Sequence, residues 1–171
     1  MGYLRGSTFE TMINLTNDKY NQKNLALVQK IPTPIKPIKF DRRQGKITMA
    51  HFEQKSTVDY IGLVQGVCIC FDAKETSQKR FPLKNIHQHQ INFMGQHEFQ
   101  TGISFILVRF STLDEIYLLP FKQLRDFWDK SINGGRKSIP YDDFRKDLLI
   151  KNKDGFMVHY LEAINVILQE S

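Results

Sequence analysis

Cysteine is scarce in this chain of 171 residues: there are two, Cys68 and Cys70, one position apart. Neighbours at i and i+2 cannot easily close a disulfide, so both are expected to be buried strand residues of a cytoplasmic protein. No apolar run approaches the ~20 residues that a membrane span needs. The start, MGYLRGSTFE, lacks the apolar stretch of a signal peptide. Gly2 stands where a myristoylated glycine would, but Gly6 fills the position that should be serine or threonine. Membrane partners are therefore not expected. There is no internal repeat and no low-complexity tract. Gly134-Gly135-Arg136-Lys137 lacks the spacing of a phosphate-binding loop and reads as a mobile loop with solvated charges.

What the chain does have is the means to pack. Hydrophobic residues make up 41% and charged residues 25%, with thirteen phenylalanines, which describes one folded domain over residues 1–171. The formal net charge of +6 hints at a polyanionic partner. Its distribution says more: residues 1–84 hold 14 Lys and Arg against 7 Asp and Glu, and residues 85–171 hold 10 against 11.

Ser7 to about Gln22 has apolar residues at helical spacing, and Ser7 with Glu10 forms an S-x-x-E cap pattern. Leu25 to Gln29 reads as a short strand. Ile31 to Pro37 carries three prolines, so it must be extended and outside the central pairing. Ile38 to Lys55 is basic and contains a turn, with Lys39, Arg42, Arg43 and Lys46, and reads as a two-stranded excursion. Thr57 to Val64 and Val67 to Thr76 form a hairpin about Gln65-Gly66. A helix from Asn85 to Gln100, strands at Gly102–Phe110 and Glu115–Leu119, and helices at Phe121–Ser131 and Val158–Leu168 complete an α/β sandwich on a mixed sheet.

With Gln65 and Gly66 as the turn, Asp59 lies opposite Asp72, and Thr57, Cys68, Cys70 and Lys74 share their face. Facing carboxylates repel. A divalent cation would offset this, since Mg²⁺ selects hard oxygen ligands, and Lys74 points to the same place with a charge suited to a phosphoryl transition state. Alternatively, Asp59 is a solvated strand-end carboxylate and Asp72 pairs with Lys74. Gln90 falls on the apolar stripe of its helix with Ile86, Phe93, Met94 and His97; it is either a satisfied core amide or a ligand. His87 and His89, at i and i+2, should not face each other on a helix and read as surface residues that could contact phosphate. Glu10 could reach the site, although the cap pattern also accounts for it.

Arg5-Gly6, Ile13-Asn-Leu-Thr-Asn17, Lys30-Ile-Pro-Thr-Pro-Ile35, Ser56-Thr-Val-Asp-Tyr60, Phe71-Asp-Ala-Lys-Glu-Thr76, Phe81-Pro-Leu83 and His87-Gln-His-Gln-Ile91 together resemble RecU-type Holliday-junction resolvases. The resemblance runs from Arg5 to Trp128 and continues more thinly to Tyr160-Leu-Glu-Ala163. It implies a restriction-endonuclease-like mixed sheet flanked by helices, a protruding basic stalk at about residues 35–55, and a homodimer that nicks four-way junctions symmetrically with Mg²⁺ or Mn²⁺. Carried over, the metal ligands are Thr57, Asp59, Asp72 and Gln90, and Lys74 stabilises the transition state. The family usually has glutamate at the position of Asp72, one methylene longer. Arg5, Lys39, Arg42, Arg43 and Lys46 are the expected DNA contacts, and a RecA-type recombinase and a branch-migration helicase are expected partners. The alternative is a junction-binding or recombinase-modulating protein with a weakened nuclease centre; a nuclease of this fold acting on ordinary duplexes is a third reading.

Overall fold

The computed structural model describes residues 5–52 and 57–170, with side chains from Thr8 onward. The first helix, α1, spans Arg5–Gln22. Strands β1 (Leu27–Lys30), β2 (Ile35–Asp41), β3 (Lys46–Phe52), β4 (Tyr60–Val64), β5 (Val67–Thr76) and β6 (Arg80–Pro82) follow. A 3₁₀ turn at Leu83–Asn85 leads into α2 (Gln88–Phe99). The remainder comprises β7 (Ile103–Phe110), β8 (Glu115–Pro120), α3 (Phe121–Ile132), β9 (Ser138–Pro140), β10 (Leu149–Ile150) and α4 (Leu161–Gln169).

Six strands form the central sheet in the order β1-β4-β5-β7-β8-β10. Only β5 and β7 pair in parallel; the other pairings are antiparallel. Phe9, Ile13, Ala163 and Ile164 pack α1 and α4 on one face, and Ile91, Met94, Phe121 and Leu124 pack α2 and α3 on the other. Strands covered on both sides read as continuous apolar runs, as β7 does in ISFILVRF. The result is the expected mixed α/β sheet flanked by helices, in agreement with a restriction-endonuclease-like arrangement.

The register about the first hairpin is the one expected. Val64 pairs with Val67 and Tyr60 with Phe71, and Gln65 and Gly66 both have positive φ (49° and 91°), as a two-residue turn of this twist requires. Tyr60 stacks on Phe71 at 4.7 Å and Phe71 on Phe105 at 4.8 Å, a three-ring ladder across β4, β5 and β7. Tyr160 closes against both phenylalanines.

Several expectations change. Helix α1 already includes Ser7, so this residue is not its cap, and its side chain, like that of Arg5, lies outside the described residues. Strand β4 starts at Tyr60, because Thr57 to Asp59 form a bend ahead of the ladder. Cys70 is buried but Cys68 is exposed, next to the hairpin turn at the end of the sheet. Phe81-Pro82, which reads as a break, belongs to β6 and pairs with β9 in a separate two-stranded sheet.

Strands β2 and β3 form another separate antiparallel pair, with irregular register between Pro37 and Phe40. Nearly every residue of this ribbon is exposed, Phe52 by 73%. At its tip Asp41 Oδ1 accepts the backbone N–H groups of Arg43 (2.9 Å) and Gln44 (3.2 Å), which closes the turn.

Glycine is required where β1 crosses β4. A Cβ on Gly62 would lie 2.6 Å from the Leu27 carbonyl oxygen and 2.9 Å from the Val28 Cα. Gly62→Ala should therefore cost about 1–3 kcal/mol and lower the thermal midpoint by roughly 2–10 °C. An unchanged midpoint in calorimetry would show that β1 is free to move away.

Candidate active site

Alternation along β5 turns Ile69, Phe71 and Ala73 into the core under α1, and Cys70, Asp72 and Lys74 towards α2. Asp72 is fully buried. Its Oδ1 accepts the backbone N–H of Asp59 at 2.7 Å. Its Oδ2 meets Lys74 Nζ at 3.0 Å and accepts the Gln90 Nε2–H. Asp59 Oδ2 in turn accepts the backbone N–H of Ala73 at 3.3 Å. Each aspartate is thus held by the main chain beside the other, and two carboxylates are fixed together although, among the described residues, only Asp72 is in an ion pair.

This arrangement is electrostatically costly. Burial, and then the charge of Asp72, push the Asp59 carboxyl above its ordinary pKa, while Lys74 and the Ala73 amide act in the opposite sense. The donors gathered here are hard oxygens: two carboxylates, with Thr57 half-buried two residues before Asp59. Such a set fits a divalent cation, which would relieve the repulsion.

Gln90 has both ends of its amide engaged. Its Oε1 accepts the backbone N–H of His87 at 3.0 Å, and its Nε2 donates to Asp72. As it stands, Gln90 is a satisfied buried amide that holds Asp72; a ligand role through Oε1 would require the amide to turn over. The reason lies in a feature missed in the sequence. His87 is not inside a helix but is the extended N-cap residue of α2: its carbonyl accepts the N–H of Gln90 at 3.0 Å, and the Gln90 side chain returns a bond to its backbone N–H. The H-x-x-Q spacing is a capping-box pattern with histidine in place of the usual hydroxyl or carboxyl residue. Because His87 is extended, its ring stacks on that of His89 at 5.5 Å, which corrects the expectation that the two do not face each other.

Glu10 pairs with Lys30 instead of folding back to its own helix start. Its charge is still felt at Asp59. The chain leaving β1 is tied to the same place, since the Ile31 N–H donates to the Asp59 carbonyl at 2.8 Å. Lys39, Arg42, Arg43 and Lys46 lie on the ribbon that starts four residues later, all exposed. The tyrosine beside Asp59 is also fixed from α1: Tyr60 donates its O–H to Asn14 at 2.9 Å.

Elsewhere among the described residues, Asp154, His159 and Glu162 bring ligating atoms within 4.8 Å of one another. Glu162 is occupied by Lys153 at 2.6 Å and His159 by the Tyr20 hydroxyl at 2.9 Å. No helix among the described residues is long and apolar enough to cross a membrane.

The family model described as RecU, Recombination protein U, matches residues 4–166. This chain belongs to the RecU family. Among similar curated proteins, the Holliday junction resolvase RecU of Streptococcus thermophilus is 46% identical over 96% of this chain and 84% of its own length. The protein of the same name from Streptococcus agalactiae is 46% identical over 94% of this chain and 82% of its own. The one from Oceanobacillus iheyensis is 45% identical, over 94% and 85%. The RecU match thus takes in the carboxylate pair, the ribbon and most of α4.

Asp59→Asn keeps an acceptor for the Ala73 amide and removes one of two like charges. In EDTA its thermal midpoint should exceed that of the wild type by about 1–4 °C. A divalent cation should then raise the wild-type midpoint and leave the variant's unchanged. A lower midpoint for the variant in EDTA would show that the two carboxylates are not in conflict.

Proposed function

We propose that this chain is a metal-dependent endodeoxyribonuclease that resolves four-way DNA junctions by symmetric nicking, in recombination and repair. The observation that carries this reading is the reciprocally bonded pair of half-buried Asp59 and buried Asp72 with Lys74 at its edge. Asp59 and Asp72 would hold Mg²⁺, or Mn²⁺ in its place, with help from Thr57 and Gln90. When bound, the cation would supply Lewis-acid charge at the scissile phosphate and make a neighbouring water more acidic. Lys74 keeps its ammonium at the carboxylate pair, where it can offset charge developing on the phosphoryl oxygens. Gln90, bridging the α2 cap to Asp72, adds a third bond to the buried acid.

Recognition is assigned to shape and phosphate charge. Lys39, Arg42, Arg43 and Lys46 sit on an exposed two-stranded ribbon, the stalk, whose base is tied through Ile31 to Asp59. Such cations neutralise backbone phosphates and do not read base edges. Arg5 is placed with them from the sequence resemblance. A junction offers two strands to cut, so a two-fold homodimer in the cytoplasm is the natural form, with a RecA-type recombinase and a branch-migration helicase as the systems it would serve. The names of its relatives agree with this substrate.

One observation favours a second reading, junction binding with a weakened nuclease centre. Asp72 is a short acid whose carboxylate is already engaged by three donors of the protein itself. If that engagement disables the centre, wild type binds four-way junctions without cutting them under any metal, and Asp72→Glu restores cutting.

The leading reading expects cleavage of a four-way junction with Mg²⁺ or Mn²⁺. It also expects Lys74→Ala to slow cleavage by about 10²–10³-fold, the usual cost of removing a group that stabilises transition-state charge, with little change in junction affinity. Equal rates for the two proteins would remove Lys74 from its role.

A further inference from the structure

Strands β6 and β9 and the end of α3 border an open concavity of about 600 Å³ on the α2 side of the sheet. Arg80, Lys84, Arg136 and Lys137 line it, no carboxylate does, and none of the four is in an ion pair among the described residues. Arg80 Nε donates to Gln78 at 2.8 Å, and Lys137 Nζ to the Ser131 carbonyl. Trp128 forms part of the wall, and its buried indole N–H has no acceptor among the described residues. Unpaired buried donors are rare in folded proteins. Four exposed cations share one concavity; Arg136 also borders a neighbouring hollow lined by Asp126, Asp129 and Asp143, but no ion pair joins it to them among the described residues, and an anion in the concavity would supply the counter-charge.

Two connections join this cavity to the carboxylate pair. Thr76, at the end of the strand that carries Asp72 and Lys74, donates its hydroxyl to the Arg80 carbonyl at 3.2 Å. Lys84 sits in the 3₁₀ turn that runs into the His87 cap, and this cap holds Gln90 against Asp72. We infer that the Arg80–Lys84–Arg136–Lys137 cavity is a second phosphate-holding site, which takes backbone phosphates of a DNA arm whose strand passes the carboxylate pair. The inference rests on the nuclease reading and adds to it residues outside the ribbon. Arg136 and Lys137, which in the sequence read as solvated loop charges, become half of a binding site once β9 pairs with β6.

Trp128 is the single tryptophan of the chain, so its fluorescence reports from the wall of this cavity. Full-length protein is titrated in EDTA with a dye-labelled four-way junction, following dye anisotropy and Trp128 emission together. The expected result is a saturable change in emission with the same midpoint as the anisotropy. Lys84→Ala/Arg136→Ala removes two exposed cations; the double variant should abolish the emission change and show a log–log salt slope of binding shallower by about two, near 0.9 for each phosphate no longer neutralised. The wild-type titration needs no variant to fold. A junction complex that leaves Trp128 emission unchanged, or an unaltered salt slope in the variant, overturns the inference while leaving the nuclease reading intact. The absence of any complex with junction or duplex overturns the nuclease reading itself. An equal response of Trp128 to polyglutamate at matched charge overturns the assignment to DNA in favour of an acidic protein partner.

Discussion

The stacking of Tyr60 on Phe71 and of Phe71 on Phe105 fixes the register of β4, β5 and β7, and the site depends on that register. Side chains alternate along a strand, so a slip of one residue between β4 and β5 would carry Asp59 away from Asp72 and expose half of the core. The aromatic ladder lies one position inside the two carboxylates and on the opposite face. It opposes such a slip, because Tyr60 would lose its stack on Phe71, the ring that Phe105 and Tyr160 hold in place. The placement of two like charges side by side is therefore a consequence of packing on the other side of the sheet. Relief of their repulsion would add to the stability of the fold without setting its register.

The same logic explains why the support around the pair comes from main chain. Asp59 donates its backbone N–H to Asp72 and accepts that of Ala73, so each acid is anchored by groups that substitution cannot easily remove. The side chains added to this frame, Gln90 and Lys74, each provide one bond to Asp72 and leave Asp59 the less constrained and more exposed partner. Desolvation acting on Asp59 is a cost left in the folded state at this point, as expected where local stability is given up for binding. The hydrogen bond from Ile31 to the Asp59 carbonyl extends the frame to the root of the ribbon, so displacement of the ribbon base would be felt first at Asp59.

How much of this could be read in advance depended on how local the signal was. Gln65-Gly66 with two apolar runs on either side determines a hairpin and its pairing by turn geometry alone, and with it the facing of Asp59 and Asp72. The prolines and cations of residues 31–55 likewise mark a segment unable to join the central sheet. What was not legible needed partners distant in sequence. The pairing of β6 with β9 joins segments nearly sixty residues apart and turns Phe81-Pro82 from a break into a strand. Exposure of Cys68 follows from where the sheet ends, which alternation does not report. The role of Gln90 turned on His87 being a cap, and a histidine cap falls outside the residue types by which caps are recognised.

Net charge gives the clearest case of the difference between chain order and space. By count, the excess of positive charge lies in residues 1–84, and the second half is slightly acidic. Folding changes that division. Many acids of the second half are consumed locally, Asp114 by Arg109, Asp129 by Arg125, and Asp147 and Glu170 by Arg145, while Arg136 and Lys137 stay out of ion pairs and are carried by β9 to Arg80 and Lys84. A half with no net positive charge thus contributes two of the four cations in the concavity between β6, β9 and α3. Since long-range attraction of a polyanion follows the local field of unpaired charges and not the total, the surface that on the proposed reading would draw DNA towards Asp59 and Asp72 would be assembled from both halves of the chain, with the ribbon as one part of it.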